Sequence, residues 1–145
     1  MRRRNLLQVA LAITPISLLA GRTGAATAET AKVAYHLADL DKVGFVLGNI
    51  RNHYDGMGGP EKVRIALVVH GPALKAFRSA DATPDISKRV GELKQSGLEL
   101  NACIHTMHAM EVTLNDLLPG FIVAEKGGVV RLAELQAEGY TYLRP

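Results

Sequence analysis

Val63-Arg64-Ile65-Ala66-Leu67-Val68-Val69-His70 is the stretch on which the fold turns. Apart from Arg64 it is apolar up to His70, and Gly71-Pro72 stops it. A continuous apolar run suits a parallel strand buried on both faces, because a half-exposed strand would alternate. Toward the N-terminus, Val33-Ala34-Tyr35-His36-Leu37 predicts another strand. Asp39 or Asp41 then caps a helix with Val43, Val46, Leu47 and Ile50 at i, i+3, i+4 and i+7. Gly44 and Gly48 share one side of it, permitting close packing against the sheet or a neighbouring chain. His53, followed by Tyr54, is expected as a solvated cap, and Asp55–Pro60 as a loop.

Toward the C-terminus, Ala73–Phe77 begins a short helix, and Thr83 caps a longer one with Pro84 at its first position. Ile86, Val90 and Leu93 mark the buried face of that helix, and Gly97 ends it. Leu98–Ile104 and Gly120–Ala124 read as strands, Val129–Glu138 as a helix closed by Gly139, and Tyr140–Leu143 as a last strand. Thr113-Leu114-Asn115-Asp116 carries a capping pattern. Strands separated by helices predict an α/β fold, a three-layer α/β/α sandwich on a mostly parallel sheet of about five strands.

The chain of 145 residues has a formal charge of +3, but Arg2, Arg3, Arg4 and Arg22 all precede its first acid. Beyond Ala28 there remain 13 basic and 14 acidic side chains, a net charge of −1. The segment 1–28 has a basic start, an apolar middle from Leu6 to Ala20, and the small-residue site Ala26-Thr27-Ala28. This is the pattern of an export signal, and Gln8, Thr14 and Pro15 make it a poor membrane span. Arg3-Arg4-Asn5-Leu6-Leu7 resembles a twin-arginine signal, with ordinary secretion as the alternative. The expected mature protein is one domain, 29–145, in the periplasm of a bacterial cell, with no membrane contact after signal removal. Its neutral charge and few aromatics argue against nucleic acid.

Parallel sheets place ligands outside the carboxyl ends of their strands. His36 lies at one strand end, His70 at another, and Cys103 with His105 at a third. Cys103 is the single cysteine, so no internal disulfide is available to it. Its thiol is either inert packing or a nucleophile whose pKa must be lowered to act at neutral pH. The amides opening a turn after the strand would lower it, as would cationic His70 or His105. His105 shares the face of Cys103 if the strand runs on, and leaves it if a turn begins at Ile104. Gly56-Met57-Gly58-Gly59 lacks the lysine and preceding strand of a phosphate loop, and no Gly-x-Ser-x-Gly occurs.

Gly97-Leu98-Glu99-Leu100-Asn101-Ala102-Cys103 resembles the third strand of DsrE/DsrF-like proteins, in which a cysteine ends the strand after a Gly-x-x-Leu run. Lys62–Leu74 and Gly127–Pro145 resemble the second strand with its turn and the closing helix and strand of that family. The resemblance implies a three-layer α/β protein forming trimers or hexamers. It also implies a sulfur relay, since some members carry sulfane sulfur as a persulfide on the corresponding cysteine. On that basis Cys103 carries sulfur, His70 and His105 polarise its thiol, and His36, Gly71, Pro72 and Thr106 contact substrate. Small sulfur compounds or a sulfur-accepting protein are the implied partners, and no cofactor is implied. With no second cysteine to resolve a persulfide, a carrier without independent turnover is favoured over a sulfurtransferase.

Two alternatives stand beside this reading. Cys103, His105, Met107, His108 and Met110 gather soft ligands suited to copper or zinc, although Met107 and Met110 also fit the core beneath a helix. The other is a non-catalytic oligomeric binding module with Cys103 buried as structure.

Overall fold

The computed structural model describes residues 29–145. The export signal read at 1–28 lies outside the described residues. Five strands, β1 (Ala31–Leu37), β2 (Val63–Val69), β3 (Glu99–Cys103), β4 (Phe121–Ala124) and β5 (Thr141–Leu143), form one sheet in the order β4-β3-β2-β1-β5. Every neighbouring pair is parallel. Helices α1 (Val43–Met57), α2 (Pro84–Gln95), α3 (Ile104–Ala109) and α4 (Gly128–Ala137) connect them, with a 3-10 helix at Gly71–Phe77 after β2.

The chain steps from β1 to β4 in one direction and then returns across the sheet to lay β5 beside β1. Crossovers between parallel strands are right-handed, so reversing the direction moves the connecting helix to the other face. Val33, Tyr35 and Leu37 of β1 and Ile65, Leu67 and Val69 of β2 therefore pack with Val46, Ile50, Val90, Leu93 and Met107 on the face of α1, α2 and α3. Ala34, Ala66 and Val68 pack with Leu132 and Leu135 of α4. The expected α/β/α layering is present, and one of its outer layers is a single helix. No helix among the described residues is long and apolar enough to cross a membrane.

The local readings hold where a side chain satisfies a backbone group nearby. Thr83 accepts a hydrogen bond from the Ile86 amide ahead of Pro84, and Thr113 and Asp116 close a capping box. Asp39 and Asp41 do not cap α1, because a 3-10 turn, Leu40–Lys42, intervenes and Asp39 faces Arg144 instead, 3.4 Å away. Helix α1 runs on through Asp55, Gly56 and Met57, and ends at Gly58 in the left-handed region (φ +90°), which glycine tolerates. Gly44 and Gly48 do not face the sheet, since a methyl group at either would meet open space. His53 is not simply solvated, because its Nδ1 pairs with the buried Tyr35 hydroxyl at 2.9 Å. Strand β3 stops at Cys103, and Ile104 already belongs to α3.

Candidate functional site

Side chains alternate across a strand, so the residues that share the α4 face at the carboxyl edge follow from the register. His36 pairs with Val68, Val69 with Ala102, and Ala34 with Tyr142. The α4 face therefore carries Tyr142 on β5, His36 on β1, His70 just past β2 and Cys103 at the end of β3. His36, His70 and Cys103, found separately at strand ends, stand on three adjacent strands. The N-terminus of α4 closes over them. A methyl group on Gly128 would lie 3.2 Å from Cys103 Cβ, 3.3 Å from His70 Cβ and 3.4 Å from Val68 Cγ1. Only a residue without a side chain lets the helix come this close.

The Cys103 side chain is buried, with 6% of its surface exposed. Burial pushes its thiol up, since it penalises the charged form. The Gly128 amide, the Thr106 amide and hydroxyl, and the His105 amide surround the sulfur and favour its charged form, and together they bring the pKa below the ordinary cysteine value. Thr106, itself buried, also accepts a hydrogen bond from the Gly71 amide at 2.9 Å. Its hydroxyl hydrogen is thereby left for the sulfur. Because α3 begins at Ile104, His105 leaves the strand face; its ring is exposed and lies against Gly127. Neither the His70 ring nor the His105 ring is among the groups that shift the thiol.

Beside the cysteine, the Tyr142 hydroxyl pairs with His36 Nδ1 at 2.7 Å, and His36 Nε2 meets His70 Nε2. Burial lowers both imidazoles; His70 and Arg144 add to this for His36, bringing it to about 4, while Arg144 adds to it for His70 and Asp39 opposes both. Both rings are thus neutral at pH 7, and each carries one N–H. The pair is a connected set of hydrogen bonds rather than a cationic patch.

On the other side of Thr106 lies an open cleft of about 590 Å³. Gly71, Pro72, Thr106 and His105 line it, with Leu40 and Met110 supplying apolar surface. Of the residues expected to touch substrate, Gly71, Pro72 and Thr106 share this cleft, whereas His36 stands on the α4 face. A second groove, of about 330 Å³, flanks α4 beside β4. Arg131 is already committed there, paired with Glu99, Glu134 and Glu138 and bonded to Asn101.

The soft-metal alternative does not find its ligands together. Met107 is packed in the core on the α1 and α2 side, Met110 packs against that core, and His105 and His108 are exposed on α3. Among the described residues no three His, Cys, Asp or Glu side chains converge on a metal-sized point. Gly128, Tyr142 and Arg144 were not expected from the sequence as site residues. The pair Gly127-Gly128 between a strand and a helix is the local sign that the helix start approaches something closely.

The chain is similar to a protein of unknown function from Methanobacterium thermoautotrophicum, with a TM-score of 0.70 and 29% identity, covering 79% of this chain and 99% of that one. A conserved protein of unknown function from Bacteroides thetaiotaomicron (TM-score 0.61, 18% identity, covering 83% and 99%) shares the fold. So does the ychN protein from E. coli (TM-score 0.57, 11% identity, covering 79% and 99%). No curated protein matches the chain. A sequence model of the DsrE/DsrF-like family matches residues 18–145.

Proposed function

Since the chain belongs to the DsrE/DsrF-like family, we propose that it binds and relays sulfane sulfur as a persulfide on Cys103. The observation that carries this reading is the set of four donors around a buried thiol, which keeps its pKa low despite burial. A structural cysteine in an apolar site would be shifted the other way. The thiolate attacks the outer sulfur of a persulfide or polysulfide donor. The new S–S bond to Cys103 forms as the donor's S–S bond breaks, and the donor leaves as a thiolate. The donors that hold the Cys103 thiolate then serve the terminal persulfide less well, because the charge has moved one atom outward. That difference favours handing the sulfur on to a small thiol or a partner protein, consistent with a carrier lacking a resolving cysteine.

Intact mass measurement tests this directly. Polysulfide treatment of the protein 29–145 is expected to add one sulfur, about 32 Da, and Cys103→Ser to add none. An unmodified wild type, with a thiol unreactive until unfolding, would leave Cys103 a packing residue. In the same preparation a trimer or hexamer is the expected native mass. Val129, 68% exposed, with Val130 and Ile122, offers apolar surface around α4 for that contact.

The proposed place of action is the periplasm, reached through the segment 1–28. Exchanging Arg3 and Arg4 for lysines is expected to trap the precursor in the cytoplasm, and the exported wild type should begin near Glu29. Unchanged export of the lysine variant would assign the protein to the ordinary secretory route.

A further inference from the structure

A thiol that is only 6% exposed beneath a helix start meets little water with which to exchange its proton. Across the α4 face, however, runs an unbroken series of groups that can each both give and take a proton. His70 leads to His36 through their Nε2 atoms, and His36 Nδ1 leads to the Tyr142 hydroxyl. Tyr142 is 39% exposed and reaches solvent. With Nε2 of His70 engaged, its remaining ring nitrogen is Nδ1, the one nearer its own Cβ. That Cβ and the Cβ of Cys103 flank Gly128, each within 3.3 Å of where a methyl group there would sit.

We propose that His70, His36 and Tyr142 form a proton relay joining the Cys103 thiol to solvent, with His36 and Tyr142 as positioning residues that set the tautomer of His70. The relay rests on the persulfide reading only for its use, not for its geometry. When Cys103 ionises, its proton passes to His70 Nδ1, directly or across one water. His70 releases its Nε2 proton to His36 Nε2, His36 releases its Nδ1 proton to the Tyr142 oxygen, and Tyr142 gives its own proton to water. Each imidazole ends neutral with its proton on the opposite nitrogen, and the net change is one thiol ionised and one proton in solvent. The reverse sequence supplies a proton to a leaving thiolate.

The surroundings suit this task. Both imidazoles are neutral at pH 7, so each has one nitrogen free to accept. The charged side chains acting on both are Arg144 and Asp39, which pair with each other at 3.4 Å and act in opposite directions. Tyr142, bonded to His36, and Cys103, beside His70 under Gly128, are the other titratable neighbours.

The experiment follows the reaction of Cys103 with 2,2′-dithiodipyridine, a small disulfide that consumes the thiolate and releases a chromophore, between pH 6 and 8. His36→Gln keeps a hydrogen-bonding side chain but cannot exchange protons between two nitrogens. It is expected to slow the reaction about tenfold or more, and Tyr142→Phe to slow it by a smaller factor. For His36→Ala, free imidazole is expected to restore the rate in proportion to its unprotonated fraction. A merely structural role would not produce that response. Wild-type rates in both His36→Gln and Tyr142→Phe would overturn the relay, as would a slow His36→Ala variant that imidazole leaves slow. The outcome is separable from the sulfur reading. A wild type that takes no sulfur while the variants still differ sinks the persulfide role alone. Normal sulfur loading with variants equal to wild type sinks the relay alone.

Discussion

Gly128→Val is expected to cost about 2–3 kcal/mol of stability and to raise the pKa of Cys103 in the same stroke. A first methyl group at this position already stands 3.2–3.4 Å from Cys103, His70 and Val68. Those neighbours belong to strands β2 and β3 or follow them directly, so the backbone beneath them has little room to yield. Valine adds two further carbons beyond that methyl, and the start of α4 must lift. Lifting it withdraws the Gly128 amide, the first of the donors that bring the thiol down. Urea unfolding gives the stability change, and the pH midpoint of iodoacetamide alkylation gives the ionisation change. Gly128→Ala, which asks its neighbours to give by only a few tenths of an ångström, should fold and show both effects at roughly a third of the size. A valine variant with wild-type stability and an unshifted midpoint would mean that α4 does not bear on the cysteine.

Acidification from pH 7 to pH 4.5 is expected to remove about 2.4 kcal/mol of stability through His36. The sign follows from where the protons bind. The folded protein holds His36 at about 4 against an unfolded value near 6.5, so between those values the unfolded chain binds more protons. The stability contributed by the neutral ring is complete above about pH 6.5, is lost as pH falls, and levels off below the folded value. His70 is lowered too and adds loss in the same direction. Asp116 and Glu134 are held below the usual carboxylate range, Asp116 chiefly by the Thr113 amide and Glu134 by Lys126, so their contribution begins lower in pH. Urea midpoints taken at half-unit steps should therefore fall steepest between pH 6 and 5. His36→Gln should flatten that slope. An unchanged slope in the variant would assign the acid sensitivity elsewhere.

The layering of this protein was legible because its strongest strand has no polar face to hide. Val63–Val69, a short run set between Gly59-Pro60 and Gly71-Pro72, suits a strand covered on both sides, and the apolar spacing of Val43, Val46, Leu47 and Ile50 suits a helix packed on one. Boundaries failed where a turn of another type took over the capping role, as at Leu40–Lys42. They also failed where a helix tolerated loop-forming residues, as at Asp55-Gly56. Half of the candidate site could be read from strand ends, because parallel strands deliver their last residues to one edge. His36, His70 and Cys103 come from that rule. The other half comes from the reversal of direction after β4, which brings Gly128 and Tyr142 to the same place from the far edge of the sheet. No local periodicity records such a meeting, and the identities of a glycine and a tyrosine do not announce it.

That reversal also sets an order in time. Strands β1, β2 and β3 precede α4 and β5 in the chain, so they can pair before the last helix docks. Cys103 then sits at a strand end with the donors of α3 around it but without the Gly128 amide and without the cover of α4. The tyrosine at the outer end of the imidazole series is likewise absent. Both arrive together when α4 crosses the sheet and β5 adds to β1. Docking of α4 and β5 therefore completes the surroundings of Cys103 last, and a partly folded chain lacks the enclosed site in which the sulfur reading places its chemistry.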